Sequence, residues 1–214
     1  MIKNIIFDFD GVIADSFQGV YEVYSDVCRK LNKKFPKDIE SFRKIYRYHY
    51  KCMLKEDLKF NEDEIKIQEK VFSEEMPKKE VPIYPKISEV ISLLSKKYKL
   101  FLVSSNYLGG INKFLVKYKL NDYFEKVIAN TNCKHLKLKN DMFNELIDEK
   151  NLDVDETLVI GDRAGDYIDA NKAGITKVLL VEYGYGYDSS RIPEHKQNVV
   201  INKPEDILIA VEKL

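Results

Sequence analysis

Hydrophobic and polar residues along this chain are grouped in blocks that predict a parallel α/β sheet. Short continuous apolar runs, typical of buried strands, occur at 5–7, 100–103, 158–160, 178–181 and 199–201. The segment 126–129, Lys-Val-Ile-Ala, is interpreted as a further short strand. Helical periodicity fills the intervals, at 87–97, 110–120, 141–150, 166–173 and 204–214. Strands that alternate with helices of this length pair in parallel through right-handed crossovers. The pattern therefore predicts an α/β fold with a Rossmann-like parallel sheet.

A block with a different pattern follows the first strand directly. Apolar residues repeat at helical spacing over 17–31, 39–58 and 61–76. An interruption within the second stretch is left open, and Asn61 or Asp63 is the expected cap of the third. Three prolines between 77 and 85 then form a stiff connector. We predict a core made of 1–14 and 85–214, and a small inserted all-helical cap domain, 15–84, that can close over a site and exclude water.

Composition and charge limit which partners and which cellular compartment we expect for this protein. Lys+Arg and Asp+Glu both number 35, so the formal net charge is +0, which argues against nucleic-acid binding driven by bulk charge. Cys28, Cys52 and Cys133 form no CxxC pair and indicate a reducing compartment. No signal peptide precedes the first strand, and no apolar run approaches the ~20 residues that cross a bilayer. We expect a cytoplasmic monomer or homodimer without nucleic-acid or membrane partners.

The first strand ends in two carboxylates. Asp8 and Asp10 are two residues apart, so their side chains leave the same face of an extended segment. Gly11 lets the backbone turn sharply and approach a ligand. Buried acids need partners, and the carboxyl edge of an open α/β sheet is where ligands bind. We interpret the pair as a nucleophile beside an acid/base on a divalent cation; capping of a following helix is the alternative.

The second strand of the predicted core is followed by Ser104, Ser105 and Asn106. Their hydroxyls and the backbone N–H groups at the start of a helix suit a bound phosphate. Capping of that helix is the alternative interpretation.

The strand at 158–160 is followed by Asp162 and, four residues later, by Asp166. Two acids at that spacing on the first turn of a helix face the same way. They could hold Mg²⁺ from one side while Asp8 holds it from the other, although interaction with the helix dipole is the alternative.

The segment Asp8-Phe9-Asp10-Gly11-Val12 resembles the first motif of the haloacid dehalogenase-like phosphohydrolase superfamily. The later polar positions occur in the order of that family. The resemblance extends to 170–174, Ala-Asn-Lys-Ala-Gly, which matches the family's Ala-x-x-Ala-Gly helix end. The position of the helical insert is similar to that of the capped subclass I, which contains phosphoglycolate phosphatase-like and β-phosphoglucomutase-like enzymes.

The resemblance implies a Mg²⁺-dependent phosphatase that hydrolyses a small phosphorylated metabolite through an aspartyl-phosphate on Asp8. Asp10 would be the acid/base; the dehalogenases and phosphonatases of the superfamily lack an acid there. The implied metal ligands are Asp8, Asp10, Asp162 and Asp166, and the implied phosphate-binding residues are Gly11, Ser104, Ser105 and Asn106. A β-phosphoglucomutase-like phosphomutase and a non-catalytic regulatory domain of the same fold remain alternatives.

The family also has a lysine ahead of a Pro-x-Pro-Asp-x-Phe pattern. Here 137–143, Lys-Leu-Lys-Asn-Asp-Met-Phe, matches at Lys137, Asp141 and Phe143 but lacks both prolines. Lys137 is therefore our choice as the catalytic lysine. The alternatives are Lys134, Lys139 and His135.

Substrate choice is expected to lie in the cap. The cap segment 42–51 is dense in cations and aromatics, and Arg43 and Arg47 are one helical turn apart. Arg47 is our candidate for binding an anionic part of the substrate, with a solvated helix face as the alternative. The loop 183–187, Tyr-Gly-Tyr-Gly-Tyr, either approaches the site through its glycines or forms a mobile turn.

Overall fold

The sheet of this protein has six parallel strands among the residues that the computed structural model describes, which are 1–46, 50–132, 136–191 and 200–214. The strand order is β3-β2-β1-β4-β5-β6. The strands are β1 (Asn4–Phe7), β2 (Lys99–Tyr107), β3 (Lys126–Asn130), β4 (Thr157–Gly161), β5 (Lys177–Val181) and β6 (Val200–Ile201). The predicted α/β, Rossmann-like fold is confirmed.

The helices separate into a group on the sheet and a group in the insert. Those of the insert are α1 (Phe17–Lys30), α2 (Ile39–Ile45), α3 (Tyr50–Glu56) and α4 (Glu62–Glu75). Those on the sheet are α5 (Ile87–Leu94), α6 (Leu108–Lys117), α7 (Lys139–Lys150), α8 (Ala164–Lys172) and α9 (Asp206–Glu212). None of the described helices has the length and apolar content that crossing a bilayer requires.

Both faces of the sheet are covered, which is why the central parts of its strands are continuously apolar. Helices α5, α6 and α9 pack on one face around Phe7 and Leu102. Helices α7 and α8 pack on the other face around Ile6 and Phe101. The central strand β1 is therefore fully buried, and polar residues can follow it only where it leaves the sheet.

The register of the sheet fixes where the first acid lies. Residues Asn4–Phe7 align with 99–102 of β2 and with 157–160 of β4. The backbone N–H of Asp8 then donates to the carbonyl of Ile160 at 2.8 Å. Asp8 and the end of β4 consequently meet at the carboxyl edge of the sheet.

The helical insert has a hydrophobic cluster of its own. Phe17, Phe42, Met53 and Leu54 are fully or almost fully buried in it, and Tyr185 from the loop after β5 joins them. The second helical stretch is divided into α2 and α3, and Asn61 caps α4 through a capping box. The chain enters and leaves the insert side by side, because Asp15 N donates to the carbonyl of Pro82 at 2.9 Å.

Two element boundaries differ from the prediction in ways that affect the site. Strand β2 continues to Tyr107, so 104–106 lie in its irregular end and not at the start of a helix. Helix α7 begins at Lys139, two residues before the predicted start. Neither shift breaks an apolar pattern, which is why periodicity did not reveal it.

Candidate active site

Three carboxylates from separate parts of the chain meet at the carboxyl edge of the sheet. Asp8 follows β1, Asp162 follows β4, and Asp166 lies in the first turn of α8. One oxygen of each lies within 4.8 Å of one of each of the others, and all three residues are buried. The structure thus brings together three of the four carboxylates that the sequence nominates as metal ligands.

Glycine is required beside these acids because no space is left for a side chain. A Cβ on Gly11, whose φ is +81°, would overlap the carboxylate of Asp162. A Cβ on Gly161 would lie 2.5 Å from Cγ of Asp166. Gly11 therefore acts by letting the backbone approach the acidic cluster.

Backbone donors hold the acids in place. Oδ2 of Asp166 accepts from the N–H of Asp162 at 3.1 Å and from that of Arg163 at 3.0 Å. Oδ1 of Asp8 accepts from the N–H of Phe9 at 2.7 Å. Oδ2 of Asp162 accepts from the N–H of Gly186 at 2.7 Å, so the loop after β5 also reaches the cluster.

The lysine at this cluster is Lys139. Its Nζ lies 2.8 Å from Oδ1 of Asp8 and 2.5 Å from Oδ1 of Asp166, and its side chain is 9% exposed. Lys137 is 51% exposed and pairs with Glu145 on the outer side of α7. Our choice of Lys137 is therefore corrected to Lys139, which the first position of α7 directs toward the acids; Lys134 and His135 lie outside the described residues.

The three acids of this cluster are buried and close together, so keeping all of them charged without a bound cation costs free energy. Burial is the largest cause that raises the pKa of Asp8 above its ordinary value; Lys139 opposes the rise, and the other two acids add to it. Burial likewise raises the pKa of Asp162, with Arg163 opposing. Burial disfavours the charged form of Lys139, but Asp166 and Asp8 outweigh it and raise the pKa of the lysine.

The donor set fits a hard divalent cation. Three carboxylates face two cationic side chains, Lys139 and Arg163, which leaves an excess of negative charge. Oδ1 of Asp162 is buried and accepts no hydrogen bond. Its nearest cation is Nε of Arg163, at 3.5 Å. An unsatisfied buried oxygen among clustered carboxylates is the arrangement that Mg²⁺, an oxygen-seeking ion, can stabilise.

Asp10 lies apart from the three clustered acids. Its Oδ1 accepts from Oγ of Ser16 at 2.5 Å, and its Oδ2 accepts from Nδ2 of Asn106 at 2.9 Å. We expected Asp10 among the metal ligands; its carboxylate lies outside the cluster of the three acids, and its two oxygens accept from Ser16 and Asn106 instead. This separation suits an acid/base group that acts on the leaving group.

The three polar residues at the end of β2 have different environments. Ser104 is buried, and its Oγ accepts from the N–H of Asn106 at 3.1 Å. Ser105 is exposed, and its carbonyl accepts from Nδ2 of Asn130 at 2.7 Å. Asn106 is the member of this group that contacts a predicted catalytic residue, through its bond to Asp10.

A cavity of about 120 Å³ adjoins Asp10. Asn106, Ser16, Lys79 and Lys113 also line it. Lys79 pairs with Glu22 at 2.8 Å, whereas Lys113 is exposed. The cavity offers a small space with nearby positive charge on the side of the proposed acid/base. Arg47, our candidate for contact with an anionic substrate, lies outside the described residues.

Sequence reasoning missed Ser16 and Arg163 as site residues, and it singled out the loop that carries Tyr185 without giving that residue a role. The guanidinium of Arg163 lies 4.9 Å from the ring centre of Tyr46 and 5.3 Å from that of Tyr185. The Gly-rich loop was the available signal, because Gly184 approaches Asp162 so closely that a Cβ there would be 2.5 Å from Cβ of that acid. Of our two interpretations of the loop, close approach is the one that the structure shows.

A family model of haloacid dehalogenase-like hydrolases matches residues 5–180, which include all the acids described above. A comparison with curated proteins found no match.

Solved structures with the same fold extend over nearly the whole chain. A predicted phosphatase from Clostridium acetobutylicum is 22% identical, with 100% of both chains covered and a TM-score of 0.86. A haloacid dehalogenase-like family hydrolase, SP0104 from Streptococcus pneumoniae, is 19% identical, with 98% of both chains covered and a TM-score of 0.85. CbbY from Rhodobacter sphaeroides, solved in complex with phosphate, is 15% identical, with 99% of this chain and 100% of that chain covered and a TM-score of 0.69. At these identities the likeness establishes a shared fold.

Proposed function

The chain belongs to the haloacid dehalogenase-like hydrolase family, and we propose that it is a Mg²⁺-dependent phosphatase that hydrolyses a small phosphomonoester through an aspartyl-phosphate on Asp8. The observation that carries this proposal is the grouping of Asp8 with Lys139, Asp162 and Asp166, while Asp10 is held separately two residues further on. A nucleophile, charge-neutralising groups and a proton donor are the components that phosphoryl transfer needs.

In the first step, the carboxylate of Asp8 attacks phosphorus and the bond from phosphorus to the ester oxygen breaks. Asp10 gives its proton to that oxygen, which leaves as an alcohol. Lys139 lies 2.8 Å from Oδ1 of Asp8 and offsets negative charge as the phosphoryl group approaches. Mg²⁺ held by Asp8, Asp162 and Asp166 would supply further neutralisation of phosphoryl charge.

In the second step, water attacks the phosphorus of the aspartyl-phosphate. Asp10, now a carboxylate, takes a proton from this water, and Asp8 and phosphate are released. The acid/base residue is thereby returned to its protonated form. We assign Ser104, Ser105 and Asn106 to the phosphate side of the site and Gly11 to the close approach of its backbone.

A phosphate-release screen tests the proposal. Sugar phosphates, phosphoglycolate, nucleotides and p-nitrophenyl phosphate are incubated with the protein and Mg²⁺, with and without EDTA. We expect phosphate release that EDTA abolishes. An isomerised sugar phosphate without free phosphate would instead identify a phosphomutase.

The Asp8→Asn variant tests the nucleophile. We expect no more than a trace of turnover, because the amide cannot form the aspartyl-phosphate, and no phosphorylated protein by mass spectrometry. Asp148→Asn, at an exposed position of α7, is the matched control and should behave as the wild type. Substantial turnover by Asp8→Asn would rule out the covalent mechanism.

A further inference from the structure

The side chains of Asp10, Ser16 and Tyr185 form a hydrogen-bonded chain that begins at the proposed acid/base, Asp10. Oγ of Ser16 donates to Oδ1 of Asp10 at 2.5 Å, and Oη of Tyr185 lies 3.0 Å from the same Oγ. A serine hydroxyl has one proton, which here goes to Asp10. Tyr185 is therefore the donor in its bond to Ser16.

The two hydroxyls of this chain are shielded from water. Ser16 is 1% exposed and Tyr185 is 7% exposed. A buried hydroxyl that loses its partner has no water to replace it, so the arrangement is held strongly. With Asn106 on the other oxygen, the carboxylate of Asp10 is fixed at both of its oxygens.

The ring of Tyr185 is fixed independently of its hydroxyl. It stacks on Phe17 of the helical insert, with ring centres 4.7 Å apart and an angle of 26° between the planes. The next residue, Gly186, donates its N–H to Asp162. Removal of the hydroxyl alone should therefore leave the ring, the loop and the acidic cluster in place.

We propose that Tyr185 is a positioning residue that, through Ser16, holds the carboxyl group of Asp10 in the orientation for proton transfer to the leaving oxygen. The proposal rests on the proposed phosphatase function. The bond that breaks joins phosphorus to the ester oxygen, its electrons go to that oxygen, and the proton comes from Asp10. Tyr185 touches none of these atoms and acts by restricting the rotation of the acid.

This role predicts a loss of activity that depends on the leaving group. Phenyl phosphate and p-nitrophenyl phosphate share the same aryl phosphate group and differ in the para nitro substituent, and phenolate is the more basic leaving group and needs protonation more. For Tyr185→Phe we expect kcat/KM to fall about 10- to 100-fold with phenyl phosphate and only about twofold with p-nitrophenyl phosphate, since general acid catalysis contributes roughly 10²–10⁴-fold. kcat/KM reports the steps up to the first irreversible one, so slow hydrolysis of the intermediate does not mask the difference.

Tyr187→Phe is the matched control, two residues further along the same loop, and should retain the activity of the wild type with both substrates. Ser16→Ala should show the same dependence on the leaving group, and Ser16→Thr, which keeps a hydroxyl, should restore activity. These serine variants also provide the test if Tyr185→Phe does not fold, which thermal melting reveals. Equal losses with both substrates, or full activity of a folded Tyr185→Phe protein, would overturn the role. Absence of phosphate release by the wild type would overturn the proposed function itself, so the two failures are distinguishable.

Discussion

Two lysines separated by a single residue have opposite environments in this protein. Lys139 is 9% exposed between Asp8 and Asp166, and Lys137 is 51% exposed and pairs with Glu145. The start of α7 at Lys139 directs that side chain inward. A buried lysine between carboxylates neutralises charge, whereas an exposed ion pair contributes little.

We expect Lys139→Ala to lower kcat/KM by about 100-fold or more, which is the order of loss when an electrostatic donor is removed from a transition state. The kcat/KM of Lys137→Ala should stay within about twofold of the wild type, because the exposed ion pair of Lys137 contributes little free energy. Phosphate-release kinetics at saturating Mg²⁺ measure both effects, and thermal melting checks that each variant is folded. Equal effects of the two substitutions would contradict the assignment of Lys139.

The sequence predicted the acids of the site more reliably than its lysine. Asp8 and Asp162 directly follow apolar strands, and the carboxyl ends of parallel strands share one edge, so their convergence follows from topology. The position of the lysine depends on where α7 begins, and the two prolines that would have marked this point are missing. The start of α7, two residues earlier than predicted, therefore decides which of Lys137 and Lys139 reaches the acids.

At the level of the elements, two glycines differ in what surrounds them. Gly109 lies in the first turn of α6 with no heavy atom within 4 Å of an added Cβ. Gly184 lies in the loop after β5, and an added Cβ would be 2.5 Å from Cβ of Asp162. The first position has space for a side chain, and the second is in contact with the acidic cluster.

We expect Gly109→Ala to raise the free energy of unfolding by about 0.4–1 kcal/mol, because alanine restricts the unfolded chain without a clash. Gly184→Ala should lower it by about 1–3 kcal/mol, which is the usual effect of overpacking, and should reduce phosphatase activity because Asp162 must shift. Urea denaturation measures the free energy of unfolding of both variants, and a phosphate-release assay measures the activity of Gly184→Ala. A Gly184→Ala protein with unchanged stability and activity would show that the loop can move away from the acids.

Most elements of the sheet and of the insert could be predicted, but the polar end of β2 and the conformation of the loop 183–187 could not. Apolar runs and helical periodicity report buried faces, and these gave the strands and the helices that cover them. The end of β2 consists of polar residues, with a shift of pairing between Ser104 and Tyr107, and such a segment carries no periodic signal. The same applies to the loop 183–187, whose glycines indicated only that close approach was permitted.

At the level of the whole molecule, the helical insert and the sheet are joined by a contact between distant parts of the chain. Tyr185 follows the fifth strand but packs in the cluster formed by α1–α4, against Phe17. No periodicity within either segment encodes this contact, because it depends on the final packing of both. Opening of the helical cluster should therefore also disturb the support of Asp10.

Cys28 offers a probe of that opening. It is fully buried in the helical cluster, and burial raises the pKa of its thiol from 9.0 to about 12, with Lys33 opposing. The thiolate is the reactive form, so the folded protein should resist labelling at pH 8. In a Cys52→Ser, Cys133→Ser variant, we expect Ellman's reagent to react with Cys28 only as fast as the cluster opens, and promptly in urea. Prompt reaction without urea would contradict the burial of the thiol.

The raised pKa of Cys28 also predicts how stability changes with pH. The folded state binds the thiol proton more tightly than the unfolded state, so this contribution to stability is fully present below pH 9 and is lost as pH rises toward 12. Other groups titrate in this range, so the same variant with Cys28→Ala added serves as the reference. We expect the difference in free energy of unfolding between the two proteins, from urea denaturation, to decrease between pH 8 and pH 11. A difference that stays constant would mean that the thiol has an ordinary pKa in the folded protein, and hence that water reaches the interior of the helical cluster.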